Sequence, residues 1–365
     1  MNSLEAVQRV RPRLSRAAGG RRESTVSVVI LCYNYGGFLE AAVRSALAQG
    51  GARMEIIVVD DHSSDGSLPV ALDLAARDRR ITVVSNEFNS GPVHTFNRGL
   101  AMARGEFVIR LDADDLLTPG SVERALSVFN AYPSVGLVYG HPLHFKGNVL
   151  PEPRTSPRKW TVWPGRTWLE ERCASGVNVI TAPEAAMRMS TVRKTGGQKS
   201  LRHTHDMEMW LRLAALSDVA YIHGADQAWH REHAGSLSAS EVDEVTDLVG
   251  RREAFEVLFS GPVGDMPCSS AWRDLAFRAL ARESVARARR ELDLGRGDSE
   301  EFRVYMDIAR DLVADPSGLP GWGGLERRLS GARPWAASLV SASSRLERRV
   351  KAKTAEYRWH HSGVF

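Results

Sequence analysis

Cysteine is scarce: Cys32, Cys173 and Cys268 are the only three in 365 residues. They lie far apart and form no CxxC pair, which argues against a disulfide framework or a structural zinc site and fits a reducing cytoplasm. No apolar run approaches the roughly 18–20 residues that span a bilayer, and no apolar signal core stands at the N-terminus, so a cytoplasmic protein is expected. GxGxxG is missing: the residues after the first strand read Cys32-Tyr33-Asn34-Tyr35-Gly36-Gly37, against a dinucleotide-dependent oxidoreductase. His141-x-x-His144 and His203-x-His205 raise zinc as an option, but no HExxH and no cysteine partner completes a site. A useful internal repeat is also absent.

Net charge is small, +4, and unevenly placed. Residues 1–22 hold six Arg against one Glu, and residues 341–365 hold four Arg and two Lys against two Glu. These ends carry +5 and +4, which leaves −5 for residues 23–340. The basic character lives in the tails, so no nucleic-acid partner is expected. Residues 1–24, Arg-rich with Pro12 and Gly19-Gly20, read as a basic disordered arm. Near the other end, from about Trp335 to Trp359, Leu339, Val340, Leu346, Val350 and Tyr357 are interspersed with cations. Such a helix either lies on the anionic inner face of a membrane, which would suit a lipid-linked acceptor, or serves packing or homodimerisation.

Between the tails, strands and helices alternate. Val26–Cys32 is a short β-branched run of the kind buried in a parallel sheet. Phe38, Leu39, Ala42, Val43, Ala46 and Leu47 then share one helical face that ends at Gly50-Gly51. Glu55–Val59, Ile81–Val84 and Phe107–Leu111 read as further strands. Helices are predicted from Asp65 or Ser67 onward, over about Val93–Ala103, and from a Thr118-Pro119 cap through Phe129. This is an α/β, doubly wound signature with a mixed, mostly parallel sheet flanked by helices. Residues 141–170, rich in Pro and Trp, look irregular; a helix returns at His205–Leu216, and the chain is mainly helical from Glu241. The expected division is 25–130 and 131–238 as two halves of one catalytic domain, then a helical region over 239–365.

Open α/β sheets bind ligands beyond the carboxyl ends of their strands. Tyr33-Asn34, Asp60-Asp61 and Asp112-Ala113-Asp114 all stand at such ends. Two carboxylates one residue apart repel unless a cation or donors lie close, and Mg²⁺ or Mn²⁺ takes oxygen ligands from carboxylates and phosphates. An Asp-rich turn is the plainer explanation of the same residues. Asp206, in the first turn of its helix, is either a favourable macrodipole partner or a general base for a hydroxyl. Glu208 competes for that role, roughly 200° away around the helix. In His230-Arg231-Glu232-His233, an imidazole or guanidinium beside a metal-diphosphate site would hold phosphate or cap the ion, Arg231 the former and His233 the latter.

In tandem these segments resemble glycosyltransferase family 2, inverting enzymes of the GT-A fold. SVVILCYN is similar to that family's first-strand motif, VVDDHSSDGS to its acidic turn, and LDADD to its DxD segment. Asn89-Ser90-Gly91 and Asn97-Arg98-Gly99 match its Asn-x-Gly elements, HDMEMWLRLA its later acidic helix, and HREHAGSLS the following loop. The resemblance, over roughly residues 25–238, implies a nucleoside-diphosphate-sugar donor and a hydroxyl-bearing acceptor. It implies that Asp61 binds the nucleobase, Tyr33 packs on it, Asp112 meets the ribose, Asp114 meets the metal, and Asp206 is the catalytic base. The chain departs from the pattern at Leu31, near the usual Pro, at Phe96, where Arg is common, and at His205, which replaces the usual Glu. A sugar nucleotidyltransferase, which would release pyrophosphate, and a non-enzymatic nucleotide-binding module are the rival readings.

Overall fold

The computed structural model of the chain describes residues 4–12, 23–233, 235, 243–330, 350, 353, 354 and 357. It contains two compact units, residues 1–168 with 179–240, and residues 169–178 with 241–365. Within the segment from about Trp335 to Trp359, only Val350, Lys353, Thr354 and Tyr357 are described; the basic helix expected there otherwise lies outside the described residues. Among the described residues no helix is long and apolar enough to cross a membrane.

The first unit is built on one sheet. Its strands are β1 (Gln8–Val10), β2 (Thr25–Cys32), β3 (Arg53–Asp60), β4 (Ile81–Ser85), β5 (Phe107–Asp112), β6 (Leu116–Leu117), β7 (Val135–Phe145), β8 (Lys159–Trp163), β9 (Ala186–Arg188) and β10 (Asp218–Arg231). Their order is β1-β8-β10-β7-β9-β5-β2-β3-β4, with β6 paired to β10. Strands β4, β3, β2 and β5 are mutually parallel. The chain passes from β2 outward through β3 to β4 and then returns to the other side of β2 as β5. Strand order therefore reverses between β2 and β5, where an α/β sheet opens a crevice for a ligand.

Both faces are covered. Helices α1 (Gly36–Leu47), α2 (Ser67–Arg77) and α4 (Ser121–Ala131) join Val28, Ile30, Ile56, Val58, Ile109 and Leu111 in one core through Leu39, Val43, Ala71, Val122 and Phe129. On the other face lies α3 (Gly91–Met102), so close that a Cβ at Gly99 would stand 2.9 Å from Val59 Cγ2 and nearer still to Val29 Cγ1. The Asn97-Arg98-Gly99 element is thus partly a packing requirement. Asn97 also accepts from and donates to the Gln198 backbone, at 2.8 and 2.9 Å.

Several segments differ from expectation. Gln8–Val10, placed in a disordered arm by composition, form an antiparallel pair with β8; three residues of main-chain pairing leave no hydrophobic period to read. Residues 141–170 are regular at both ends and irregular between: β7 runs on to Phe145, residues 146–158 hold no helix or strand, β8 buries Trp160 and Trp163, and α5 (Gly165–Ser175) follows. Pro142 hid this, but it sits where the β7–β10 register shifts between Asp226 and Ala228, a place where a strand tolerates proline. Helix α4 starts at Ser121 behind Gly120, whose φ is +73°. Thr118 does not cap it; its hydroxyl donates to the Asp226 carbonyl at 2.5 Å.

The remaining helices of the first unit are α6 (Met189–Thr195) and α7 (His205–Leu216). In the second unit α8 (Glu244–Ser260), α9 (Ser269–Asp293), α10 (Glu300–Asp311) and α11 (Trp322–Leu329) form a helical array. Asp243 and Ser299 cap α8 and α10 by accepting from the amides of Thr246 and Phe302. Buried Arg251 is matched by Asp247 and Glu283, both at 2.8 Å, as an interior charge must be.

We expect Gly99→Ala to lower stability by about 1–3 kcal/mol, because overpacking against Val29 and Val59 outweighs the better helix propensity of alanine. Urea unfolding of both proteins checks this; an equal or higher midpoint would show that α3 moves away at no cost.

Candidate functional site

The parallel strands end together. Leu31 lies opposite Asp112 and Cys32 opposite Asp60 in register. Main-chain bonds extend the ladder into the loops: Asp61 N–H donates to the Cys32 carbonyl, Ala113 N–H to that of Leu31, and Asn86 N–H to that of Asp60. All three polar stations thus share one rim, spanning the point where strand order reverses.

Asp61 is buried and fully engaged. Its Oδ1 accepts from Asn86 Nδ2 at 2.6 Å and the Ser90 amide at 2.8 Å, and its Oδ2 accepts from the Gly91 amide at 2.8 Å. It therefore satisfies the first amides of α3, an orphan set at any helix start. Arg98 completes the group by donating to Asn86 Oδ1 and the Ser85 carbonyl. Asp65 acts likewise, accepting from the amides of Gly36 and Ser67 at the starts of α1 and α2. Asn34, in the left-handed region at φ +56°, accepts from the Ser64 amide at 2.8 Å. Tyr33 projects from this loop, 45% exposed.

The Asp112–Asp115 turn carries the charge. Asp114 is buried, and burial plus the neighbouring charges of Asp115 and Asp112 push its carboxyl up to about 6 against the opposing hydrogen bond from His233. His233 Nε2 lies 3.0 Å from Asp114 Oδ2. Asp115 accepts from His230 Nδ1 at 3.1 Å and the Arg231 amide at 2.8 Å. Burial disfavours charge on His230, but Asp115 outweighs it and lifts this imidazole to about 9. Tyr35, two residues beyond the expected Tyr33, packs edge-on against His233. Burial and the Asp114, Asp112 and Asp115 charges keep its phenol protonated.

Arg231 was expected to hold phosphate. It is buried instead, with Nε donating to the Asp114 carbonyl at 3.0 Å and Nη1 to that of Gly147. Phe38 and Phe145 flank its guanidinium, with ring centroids 4.6 and 4.5 Å away. It braces the acidic turn from behind.

Asp112 is half-exposed and accepts from Arg110 Nη2 at 3.0 and 3.3 Å. Arg110 Nη1 reaches His205 Nε2 at 3.3 Å, which ties the first residue of α7 to the rim. Asp206 follows in the first helical turn, partly buried. Glu208, its competitor, is fully buried with its oxygens on Arg212 at 2.6 and 2.7 Å. Arg212 in turn donates to the carbonyls of Thr195 and Gly197. Glu208 is thereby committed to holding α7, while Asp206 accepts from the Met207 amide at 2.7 Å.

Arg110, Tyr35, Asp115 and Glu184 escaped the sequence reading. An arginine interrupting Phe107–Leu111 was the one visible signal. Glu184 is buried and pushed up to about 7 by that burial, against hydrogen bonds from the Thr181 amide and hydroxyl. Among the described residues no three His, Cys, Asp or Glu side chains converge to hold a metal ion unaided. His141 Nδ1 pairs with Asp226 at 2.9 Å.

Residues 27–196 match the family described as "Glycosyl transferase family 2". An uncharacterised glycosyltransferase of Nostoc sp. is 38% identical over 114 residues, 31% of this chain and 35% of that protein. One from Rickettsia typhi is 27% identical over 248 residues, 65% of this chain and 70% of that protein. Three of the curated relatives are matched over 35%, 32% and 28% of their own lengths, so the chain spans about a third of each. Staphylococcus aureus TarS, residues 1–349 in complex with UDP-GlcNAc, superimposes with a TM-score of 0.58 at 16% identity, covering 79% of this chain and 80% of that one.

The His230–Asp115 pair gives a pH signature. A histidine raised in the folded state stabilises fully below its unfolded value near 6.5, and that stabilisation is lost as pH rises through about 9. We expect unfolding free energy to fall by roughly 1–3 kcal/mol over that window and the slope to flatten in His230→Gln. Parallel slopes in the two proteins would show that the pair does not control it.

Proposed function

We propose that this chain, whose residues 27–196 match the glycosyl transferase family 2 model, is an inverting, metal-dependent glycosyltransferase of that family. It moves a sugar from a nucleoside diphosphate to an acceptor hydroxyl, on a glycan, a lipid-linked molecule or a small molecule. The GT-A fold of the first unit is the frame. What supports the reading most is the Asp112–Asp115 turn at the reversal of strand order, where Asp114 is raised to about 6 by burial and by its acidic neighbours. A carboxylate held at such a cost fits a partner of opposite charge.

Asp114 and His233 would be the side chains of this chain that hold Mg²⁺ or Mn²⁺. The ion, when bound, supplies positive charge against that developing on the departing diphosphate. Asp112 takes the ribose, Tyr33 packs on the nucleobase, and Asp61 keeps the base pocket in shape by holding α3. Arg231 braces the turn.

Asp206 accepts the proton of the acceptor hydroxyl as its oxygen attacks the anomeric carbon. The new C–O bond forms on the face opposite the diphosphate while the old C–O bond breaks, and the electron pair leaves with the nucleoside diphosphate. One displacement inverts the carbon, so no enzyme nucleophile is needed. The start of a helix stabilises the carboxylate that begins this step.

Asp206→Asn should keep UDP or GDP affinity within about twofold and lower transfer by roughly 10²–10⁴-fold; full transfer by this variant would remove the base assignment. Asp114→Ala should stay folded and lose Mn²⁺-dependent thermal stabilisation by UDP or GDP. In the native chain that stabilisation should fade as pH falls from 7 through about 6, because a cation must displace the Asp114 proton. Undiminished stabilisation of Asp114→Ala, or a flat response to pH, would count against the metal role.

A further inference from the structure

Arg110 breaks the logic of its own strand. Phe107, Val108, Ile109 and Leu111 around it are buried apolar residues, its register partner on β2 is Val29, and Arg110 itself is only 6% exposed. Placing a guanidinium there costs several kcal/mol in desolvation. The pairing with Asp112 offsets this poorly, because the Asp112 side chain is 35% exposed and water weakens the attraction. An apolar residue would serve stability as well.

The guanidinium nevertheless reaches two groups at once, Asp112 through Nη2 and His205 Nε2 through Nη1. Arginine has no lone pair to offer, so His205 Nε2 must accept and the ring proton must sit on Nδ1. Burial and the Arg110 charge hold His205 down to about 3, which keeps the ring uncharged. The residue where the family usually has Glu is here an uncharged acceptor that leaves the Arg110 charge to Asp112.

We propose that Arg110 is a positioning residue, whose rigid fork sets the separation between the donor-binding carboxylate Asp112 and the first turn of α7, which presents Asp206. This rests on the roles assigned above to Asp112 and Asp206. A planar group with fixed N–H directions can hold two partners at set distances, which a flexible ammonium cannot. Misplacement of a base by about 1 Å is enough to lower a rate roughly a hundredfold.

The test compares the native chain with Arg110→Met, close in length but apolar, and Arg110→Lys, which keeps charge without the fork. Calorimetry with Mn²⁺ gives the affinity for UDP and GDP. Release of nucleoside diphosphate from a panel of UDP-, GDP-, ADP-, CDP- and TDP-sugars gives kcat and KM. We expect Arg110→Met to weaken nucleotide binding about tenfold or more, since a hydrogen bond to a charged group is lost, and to lower kcat by roughly 10–100-fold. Arg110→Lys should recover most of the affinity, because an ammonium can still serve Asp112. It should leave kcat low, because it cannot hold His205 at the same time.

This split separates positioning from simple support, which would lower the melting temperature and leave both constants of the folded protein unchanged. Native Kd and kcat in folded Arg110→Met overturn the proposal. Should that variant fail to fold, native kcat in Arg110→Lys overturns it instead. A native chain that binds no nucleoside diphosphate and releases none sinks the functional reading and this inference together. A working native chain with unaffected variants sinks the inference alone.

Discussion

Crowding of carboxylates at the end of an apolar sheet governs the first unit. Asp60, Asp61, Asp112, Asp114 and Asp115 all emerge where β3 and β5 stop, and a buried carboxylate without donors or a counter-charge is not tolerated. The structure allots donors unequally. Asp61 receives the amides that open α3 and the Asn86 side chain. Asp60 takes the Ser63 amide and the Ser85 hydroxyl on Oδ2 alone, its buried Oδ1 having no partner among the described residues, and Asp115 takes the His230 imidazole and an amide. Asp112 has one guanidinium, which it shares with a neutral histidine, and Asp114 draws on the imidazole of His233. Asp61 and Asp115, served by several donors, hold loops and helices in place, while Asp112 and Asp114 each draw on one side chain from elsewhere in the fold.

The counter-charges come from far along the chain, and the sheet explains how. Strand β6 follows the acidic turn directly and pairs antiparallel with β10, Leu116 with Trp229 and Leu117 with Ala228. That register delivers residues 230–233 onto residues 112–115. Trp229 then anchors to the Pro151 carbonyl at 2.9 Å, over a small cluster of Leu116, Phe145 and Leu143. Two residues of β6 thereby fix the position of His230, Arg231 and His233. The irregularity of β10 has a use as well: the register shift after Tyr221 turns Asp226 toward His141 and Arg154. Burial resists charge there, but these two partners bring the carboxyl down to about 2.

Sequence periodicity disclosed the parallel half, helix α7 and the helical second unit, but little of strands β6 to β10, for a physical reason. Strands β2, β3 and β5 lie mid-sheet and are almost wholly buried, so they read as continuous apolar runs, and amphipathic helices separate them and the edge strand β4. Strands β7 to β10 carry polar residues inward, His141, Thr161, His223 and Asp226 among them, each matched by a partner across the sheet. Burial of paired polar groups erases the alternation on which a strand is recognised. The acidic stations were visible because carboxylates after a strand are conspicuous. What each one touches was not visible, since partners such as Asp115 and His230 lie 115 residues apart. Nor was it visible that Arg231 lies between the Phe38 and Phe145 rings and donates to the Asp114 carbonyl.

The choice between Asp206 and Glu208 shows how far helix geometry can decide a question of chemistry. Two residues apart on a helix, their side chains diverge by about 200°, so a helix packed on one side can offer only one of them to the rim. Glu208 falls on the buried side, where its bidentate pair with Arg212 and the Arg212 bonds to the Thr195 and Gly197 carbonyls lock α7 to the preceding loop. Removing the Glu208 charge would strand Arg212 in the interior, so this carboxylate is needed where it is. The same rotation that buries Glu208 turns Asp206 away from that pair, while His205, one residue earlier, meets Arg110 at the rim. A helix held at residue 205 from one side and residue 208 from the other has little freedom to rotate. The orientation of Asp206 then follows from its neighbours, the buried Glu208–Arg212 pair on one side and the Arg110–His205 contact on the other.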